Sequence, residues 1–212
     1  MVFVRSLLRR LRRVRSRHAV PILAVLGLGL GALGDGELPV LAAGGPEPWP
    51  EGRVTYFDAS GSGTAIAAAA ARWNRSGARV RIVRTADRRK ADVVFVVDRQ
   101  GLRSDCGESC LALASAIGRP RDGRATVRLH PDIAGAPTRL GVWVAMHELG
   151  HVLGLSHRDG RCSLMNAHAY DDSCSFVGGI AVDGPLPCGP ASDDVATAAQ
   201  LYGRDASSRP CR

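Results

Sequence analysis

Aromatic residues make up only 5 % of this 212-residue chain, against 45 % apolar residues in all. A core can therefore form, but Ala, Val and Leu must supply most of it. No internal repeat is visible, which excludes solenoid and propeller architectures. The apolar run from Ala19 to Leu33 is short for a membrane span and is interrupted by Gly27, Gly29 and Gly31. No acidic residue precedes Asp35, whereas Arg5, Arg9, Arg10, Arg12, Arg13, Arg15 and Arg17 crowd the start. Removing those seven charges from the net charge of +8 leaves +1 for the remainder. A near-neutral domain has no general electrostatic reason to hold a phosphate backbone, so no nucleic-acid partner is expected.

An Arg-rich opening, an apolar stretch and the small residues of Val40-Leu41-Ala42-Ala43 together read as an export leader cleaved near Ala43. A retained anchor through residues 19–34 is the alternative. The paired arginines leave open whether export is general or by the twin-arginine route. The expected organisation is a signal peptide over 1–43, a linker over 44–50, one domain over 51–205 and a tail over 206–212. The mature protein is expected to be secreted and monomeric, without stable membrane association once the leader is removed.

No cysteine lies in the leader, and six follow it. An even count in an exported chain points to disulfides, with many connectivities open. Cys106 and Cys110 are near enough to close a small loop, and Cys162 with Cys174 bracket another. Cys188 with Cys211 then follows by elimination. The spacings lack the paired knuckles of a zinc ribbon.

Strands are expected at Val54–Phe57, Val80–Val83, Val93–Val97, Leu111–Ile117 and Ala125–Leu129. The continuous apolar run at Val93 suggests burial on both faces. Helices are expected at Thr64–Trp73, Thr138–Leu153 and Asp193–Tyr202, with Thr138 and Ser192 as caps. This is one α+β domain.

Its most informative stretch is His147-Glu148-Leu149-Gly150-His151-Val152-Leu153-Gly154-Leu155-Ser156-His157. Residues i and i+4 share a helix face, so the imidazoles of His147 and His151 converge. Glu148 lies beside that face. Gly154 can take the left-handed conformation that ends the helix and returns His157 as a third nitrogen. Three neutral nitrogens leave a fourth tetrahedral position for water, the pattern of a catalytic zinc. A chance match is on the order of one in a hundred thousand for a chain this size at ordinary residue frequencies.

The pattern HExxHxxGxxH, followed by Ser163-Leu164-Met165-Asn166, resembles the metzincin signature with its Met-turn. Asp193-Asp194-Val195 through Gln200-Leu201-Tyr202-Gly203 is similar to the closing helix of matrixins, and Val54-Thr55-Tyr56, Trp73-Asn74 and Ala91-Asp92-Val93 match matrixin landmarks. Cys162-Ser163-Leu164-Met165 with Cys174 is similar to the bracketed Met-turn loop of snapalysins, although His157 is the matrixin choice of third ligand.

The resemblance implies a zincin-like fold: a twisted, mostly parallel sheet with one antiparallel edge strand and about three helices. It implies a metalloendopeptidase acting on protein or peptide substrates, with one catalytic Zn2+ on His147, His151 and His157 and Glu148 as general base. Met165 would floor the site, Asp194 would hold the Met-turn, and Leu111, Ala112, Leu113, Ala114, Ser115 and Ala116 would form the edge strand that receives substrate. That strand carries no histidine, so no second zinc is expected. No cysteine precedes Cys106, so no cysteine switch is expected, and Tyr170 is too far from Met165 to be a ligand. Asp171, Asp172 and Asp183 are candidates for Ca2+. His130 and His168 read as loop residues.

Overall fold

Five short segments rich in β-branched and small apolar residues pair into one sheet: β1 (Arg53–Asp58), β2 (Arg81–Arg84), β3 (Val93–Val97), β4 (Ala112–Ala114) and β5 (Ala125–Leu129). A computed structural model describes residues 46–134, 139–158, 163–167 and 189–206. The strand order is β2-β1-β3-β5-β4. β1 runs parallel to both β2 and β3, and β3 runs parallel to β5. Only β4 is antiparallel, with Ala112 opposite Leu129, Leu113 opposite Arg128 and Ala114 opposite Val127.

Parallel neighbours need crossovers rather than hairpins. The helix α1 (Gly63–Asn74) makes the crossover from β1 to β2, and α2 (Arg99–Cys106) follows β3. The central helix α3 (Arg139–Val152) follows β5, and α4 (Ser192–Tyr202) closes the described chain.

Alternation along the strands sends one set of side chains into the core. Val54 and Tyr56 of β1, Ile82 of β2, Val93 and Phe95 of β3, and Ala125, Val127 and Leu129 of β5 are all buried there. The helix α1 meets them with Ala65, Ile66, Ala69, Ala70 and Trp73, an i, i+3/i+4 stripe. In α3 every residue from Gly141 to Val152 is buried, as expected of a helix covered on all sides. Ala, Val and Leu do dominate this core, yet Trp49, Trp73 and Trp143 are all buried in it.

The α+β reading and the single antiparallel edge strand hold in the structure, with local differences. The helix α2 is additional to the three expected. Its signal is Asp98, whose side chain accepts from Gly101 N at 2.8 Å. β4 is shorter than the apolar run from Leu111 to Ile117. β3 is buried over Val93–Phe95 but emerges at Val97, which is 41 % exposed. Ser192 does not cap α4; the capping position is Ala191, with no side-chain hydrogen bond. Thr138 lies outside the described residues.

Candidate active site

The site is built on the last turns of α3, and its rigidity begins with how that helix ends. Gly154 has φ +97°, a conformation open to glycine at little cost. Leu155 N donates to Gly150 O at 2.9 Å and Gly154 N to His151 O at 2.8 Å, the paired bonds of a Schellman turn. The remaining carbonyls also find donors. Leu153 N donates to Leu149 O, Gly118 N donates to His151 O, Trp49 Nε1 donates to Val152 O at 2.7 Å, and Tyr202 Oη donates to Leu153 O at 3.0 Å. Residues from both ends of the described domain thus lock the turn that carries His151.

That turn brings His157 back to the helix. His157 Nε2 stands 3.3 Å from His147 Nε2 and 3.0 Å from His151 Nε2. The other ring nitrogens settle the tautomers. His147 Nδ1 lies 2.7 Å from Leu164 O and His151 Nδ1 lies 2.8 Å from Leu155 O. A carbonyl oxygen only accepts, so each Nδ1 carries the proton and each Nε2 is a bare lone pair. Burial, and then the neighbouring His151, push His147 down to about 3. Burial pushes His151 down to about 4 against the opposing hydrogen bond from its ring to Leu155. Both rings are therefore neutral near pH 7.

Three nitrogens meet with at most one proton, that of His157, to share among them. A cation resolves this surplus of lone pairs. Nitrogens sharing a tetrahedral zinc at about 2.0–2.1 Å stand about 3.3–3.4 Å apart, close to the spacings found. The three histidines form the only group of this kind among the described residues able to hold a metal ion.

Beneath them, the turn at Leu164–Met165 is fixed by a buried carboxylate. Ser163 Oγ donates to Asp194 Oδ1 at 2.7 Å, Leu164 N donates to Asp194 Oδ2 at 2.8 Å, and Met165 N donates to Ser163 Oγ at 2.9 Å. Asp194 and Met165 are fully buried. Asp194 so places both the Met165 side chain and the Leu164 carbonyl that orients His147.

Glu148 is buried beside the histidines, and its Oε2 has no hydrogen-bond partner. Burial pushes its carboxyl up to about 8, opposed by a hydrogen bond from the Ala114 backbone of β4. An unpartnered buried carboxyl oxygen costs free energy. Glu148 lines a cleft of about 510 Å³ whose lining also includes the three histidines, Leu111 to Leu113 and Trp143.

The structure thus brings together His147, Glu148, His151, His157, Met165 and Leu111 to Ala114, of which Ala112 to Ala114 form β4 and Leu111 lies just before it. Ser115 and Ala116 lie just beyond the strand. Of the six cysteines, Cys106 and Cys110 form a disulfide. Cys162, Cys174, Cys188 and Cys211 lie outside the described residues, as do Asp171, Asp172, Asp183, His168 and Tyr170. His130 is not among the residues lining the cleft; its Nδ1 accepts from Asp132 N at 3.2 Å. Trp143 escaped the sequence reading although its spacing was informative. It precedes His147 by one helical turn, and the two rings lie 5.4 Å apart.

The family model described as Matrixin, a peptidase family, matches residues 55–176, more than half of the chain. The chain belongs to the matrixin family. No curated protein matches it. Matrixins are metzincin zinc endopeptidases, so the family implies zinc and a protein or peptide substrate for this matrixin. Its histidine triad is a donor set that can hold that metal. No helix among the described residues of the matrixin is long and apolar enough to cross a membrane.

Proposed function

We propose that this matrixin is a secreted endopeptidase with one catalytic zinc on His147, His151 and His157 and with Glu148 as general base. The observation that carries the reading is the convergence of three histidine nitrogens, two with fixed lone pairs, beside the partnerless Oε2 of Glu148. When bound, zinc supplies Lewis acidity, which makes water acidic near neutral pH and polarises a carbonyl.

The protein residues supply the rest. The Leu164 and Leu155 carbonyls keep His147 and His151 in the tautomer that presents Nε2 to the metal. The Glu148 carboxylate accepts the proton of the attacking water and delivers it to the leaving amine nitrogen. Leu111 to Ala116, with β4 at their centre, offer the unpaired backbone edge to an extended peptide, which adds as a further strand. Met165 packs beneath the histidines as an apolar floor. The leader over 1–43 is removed on export, the catalytic domain occupies 51–205, and the retained anchor through 19–34 is the alternative.

The test is casein cleavage by the exported full chain, with and without a zinc chelator, beside Glu148→Gln and a metal assay. Chelator-sensitive cleavage and a turnover reduced about 10²–10⁴-fold in Glu148→Gln, with zinc retained, are expected. A folded protein that binds no zinc would sink the reading. N-terminal sequencing of the exported protein decides between a cleaved leader and an anchor.

A further inference from the structure

The cleft that holds the histidines continues along β4 to a small loop. Cys106, Ser109 and Cys110 line the same cleft as His147 and Glu148. Cys106 is the last residue of α2, and the disulfide joins it to Cys110, which is followed closely by the start of β4 at Ala112.

β4 packs on α3, and its Ala114 backbone bonds Glu148. It is three residues long and pairs on one side only, with β5. So short an edge strand depends on what holds its two ends. At the far end Ser115 N donates to Thr126 O at 2.8 Å, and Thr126 N donates to Ser115 Oγ at 2.9 Å. At the near end His130 N donates to Leu111 O at 2.8 Å, and then comes the disulfide. The anchor on its other side is α2, which is itself fastened to β5. Arg128, opposite Leu113 in the ladder, pairs with Asp105 and stands 3.8 Å from Asp98, while Leu102 of α2 is buried. The disulfide therefore closes a ring that runs from β5 through Arg128 to α2, across to Cys110, and back through β4 to β5.

We propose that the Cys106–Cys110 disulfide positions the far arm of the substrate groove. It fixes the loop at the Cys110 end of the groove, and that loop is the wall met by a substrate residue well away from the scissile bond. This rests on the endopeptidase reading above. Ala114 meets Glu148 through its backbone, and from there back to Cys110 the chain spans four residues, about 13 Å at roughly 3.3 Å per residue. A peptide paired with β4 advances at the same rise. It reaches the loop only if it extends about four residues to one side of the bond to be cut.

The disulfide should therefore matter to long substrates and not to short ones. Two peptides with one scissile sequence, extending two or five residues to each side, are compared on the full chain and on Cys106→Ser/Cys110→Ser. For the long peptide KM should rise about 5–20-fold with kcat within about twofold, the signature of lost uniform binding. The short peptide should be unaffected and the zinc content unchanged. Equal losses for both lengths, or no change for either, would overturn the proposal.

If the double variant does not fold, Ser109→Trp at the exposed tip of the loop decides. It should alter KM for the long peptide only, and a length-independent result overturns the proposal. Anisotropy of the labelled long peptide on zinc-loaded Glu148→Gln, with the disulfide and without it, reads binding apart from turnover. Weaker binding without the disulfide is expected, and equal binding overturns the proposal. Disulfide-dependent binding in a protein with no chelator-sensitive cleavage would sink the peptidase reading and leave the groove assignment standing.

Discussion

The sulfur of Met165 lies where a side chain at Gly150 would begin. A Cβ at Gly150 would overlap Met165 Sδ and come within 3.4 Å of Trp73 Cζ2. Gly150 is not at a positive φ, so the constraint is space rather than backbone conformation. It lies on α3 between His147 and His151, and Trp73 Nε1 donates to Met146 O on the same helix at 2.9 Å. Overpacking a site held this tightly costs about 1–3 kcal/mol. Gly150→Ala should therefore lower the melting temperature by several degrees and weaken zinc binding. Calorimetry and a competitive zinc titration check both. A variant as stable and as zinc-avid as the parent would show that Met165 moves aside freely.

The Met-turn depends on a charge distant in sequence. Asp194 accepts from Ser163 Oγ and Leu164 N, one bond to each oxygen. Asn at this position keeps the shape, but its nitrogen faces one of the two donors. Hydrogen bonds to charged groups contribute about 1.5–3 kcal/mol, and Asp194→Asn should lose stability in that range. Its zinc affinity should fall about 10–100-fold, because Leu164 O orients His147. Urea unfolding of the metal-free protein separates the two effects. A loss confined to stability would show that the turn can shift without disturbing the ligand.

Trp49 makes a third expectation. Its indole N–H satisfies the buried Val152 carbonyl at the end of α3. Trp49→Phe keeps most of the ring and removes the donor, leaving an unsatisfied buried carbonyl at a cost of about 1–3 kcal/mol. The melting temperature should drop by several degrees, with KM unchanged in the folded fraction. An unchanged melting temperature would mean that water replaces the indole.

The legible parts are those where local pattern and tertiary role coincide. The i, i+4 spacing of His147 and His151 and the glycine at 154 specify helix, turn and convergence in one short stretch, so the geometry of the triad could be read from the sequence. Val93–Phe95 and Ala125–Leu129 declared themselves as strands because burial demands apolar residues there. The helix α2 was not legible. Its sequence Arg99 to Cys106 buries only Leu102, so no apolar stripe announces it, and the Asp98 cap was its one signal. Nor could Trp49 and Tyr202 be recognised as caps for α3. Their partners are backbone carbonyls far away in sequence, and no side-chain pattern encodes a distant carbonyl. The Cys106–Cys110 pairing was visible as proximity, but its place on the cleft wall needed the sheet order.

The fourth expectation concerns protons. In the metal-free protein His147 and His151 are held at about 3 and about 4, below their ordinary 6.5, while Glu148 is raised to about 8 from 4.5. Below pH 6.5 the unfolded chain protonates histidines that the folded chain keeps neutral, so their contribution is complete above 6.5 and is lost as pH falls towards 3. Glu148 behaves oppositely. Its contribution is complete below pH 4.5 and is lost as pH rises through about 8. At pH 7 the metal-free site therefore holds neutral His147 and His151 and a protonated Glu148. A dication placed beside Glu148 favours its carboxylate, so zinc loading at pH 7 should expel about one proton per metal, and His147 and His151 should contribute none. Titration calorimetry in buffers of different ionisation heat counts that proton. Glu148→Gln should release correspondingly less, and an equal count in the variant would assign the proton to water or to His157 instead.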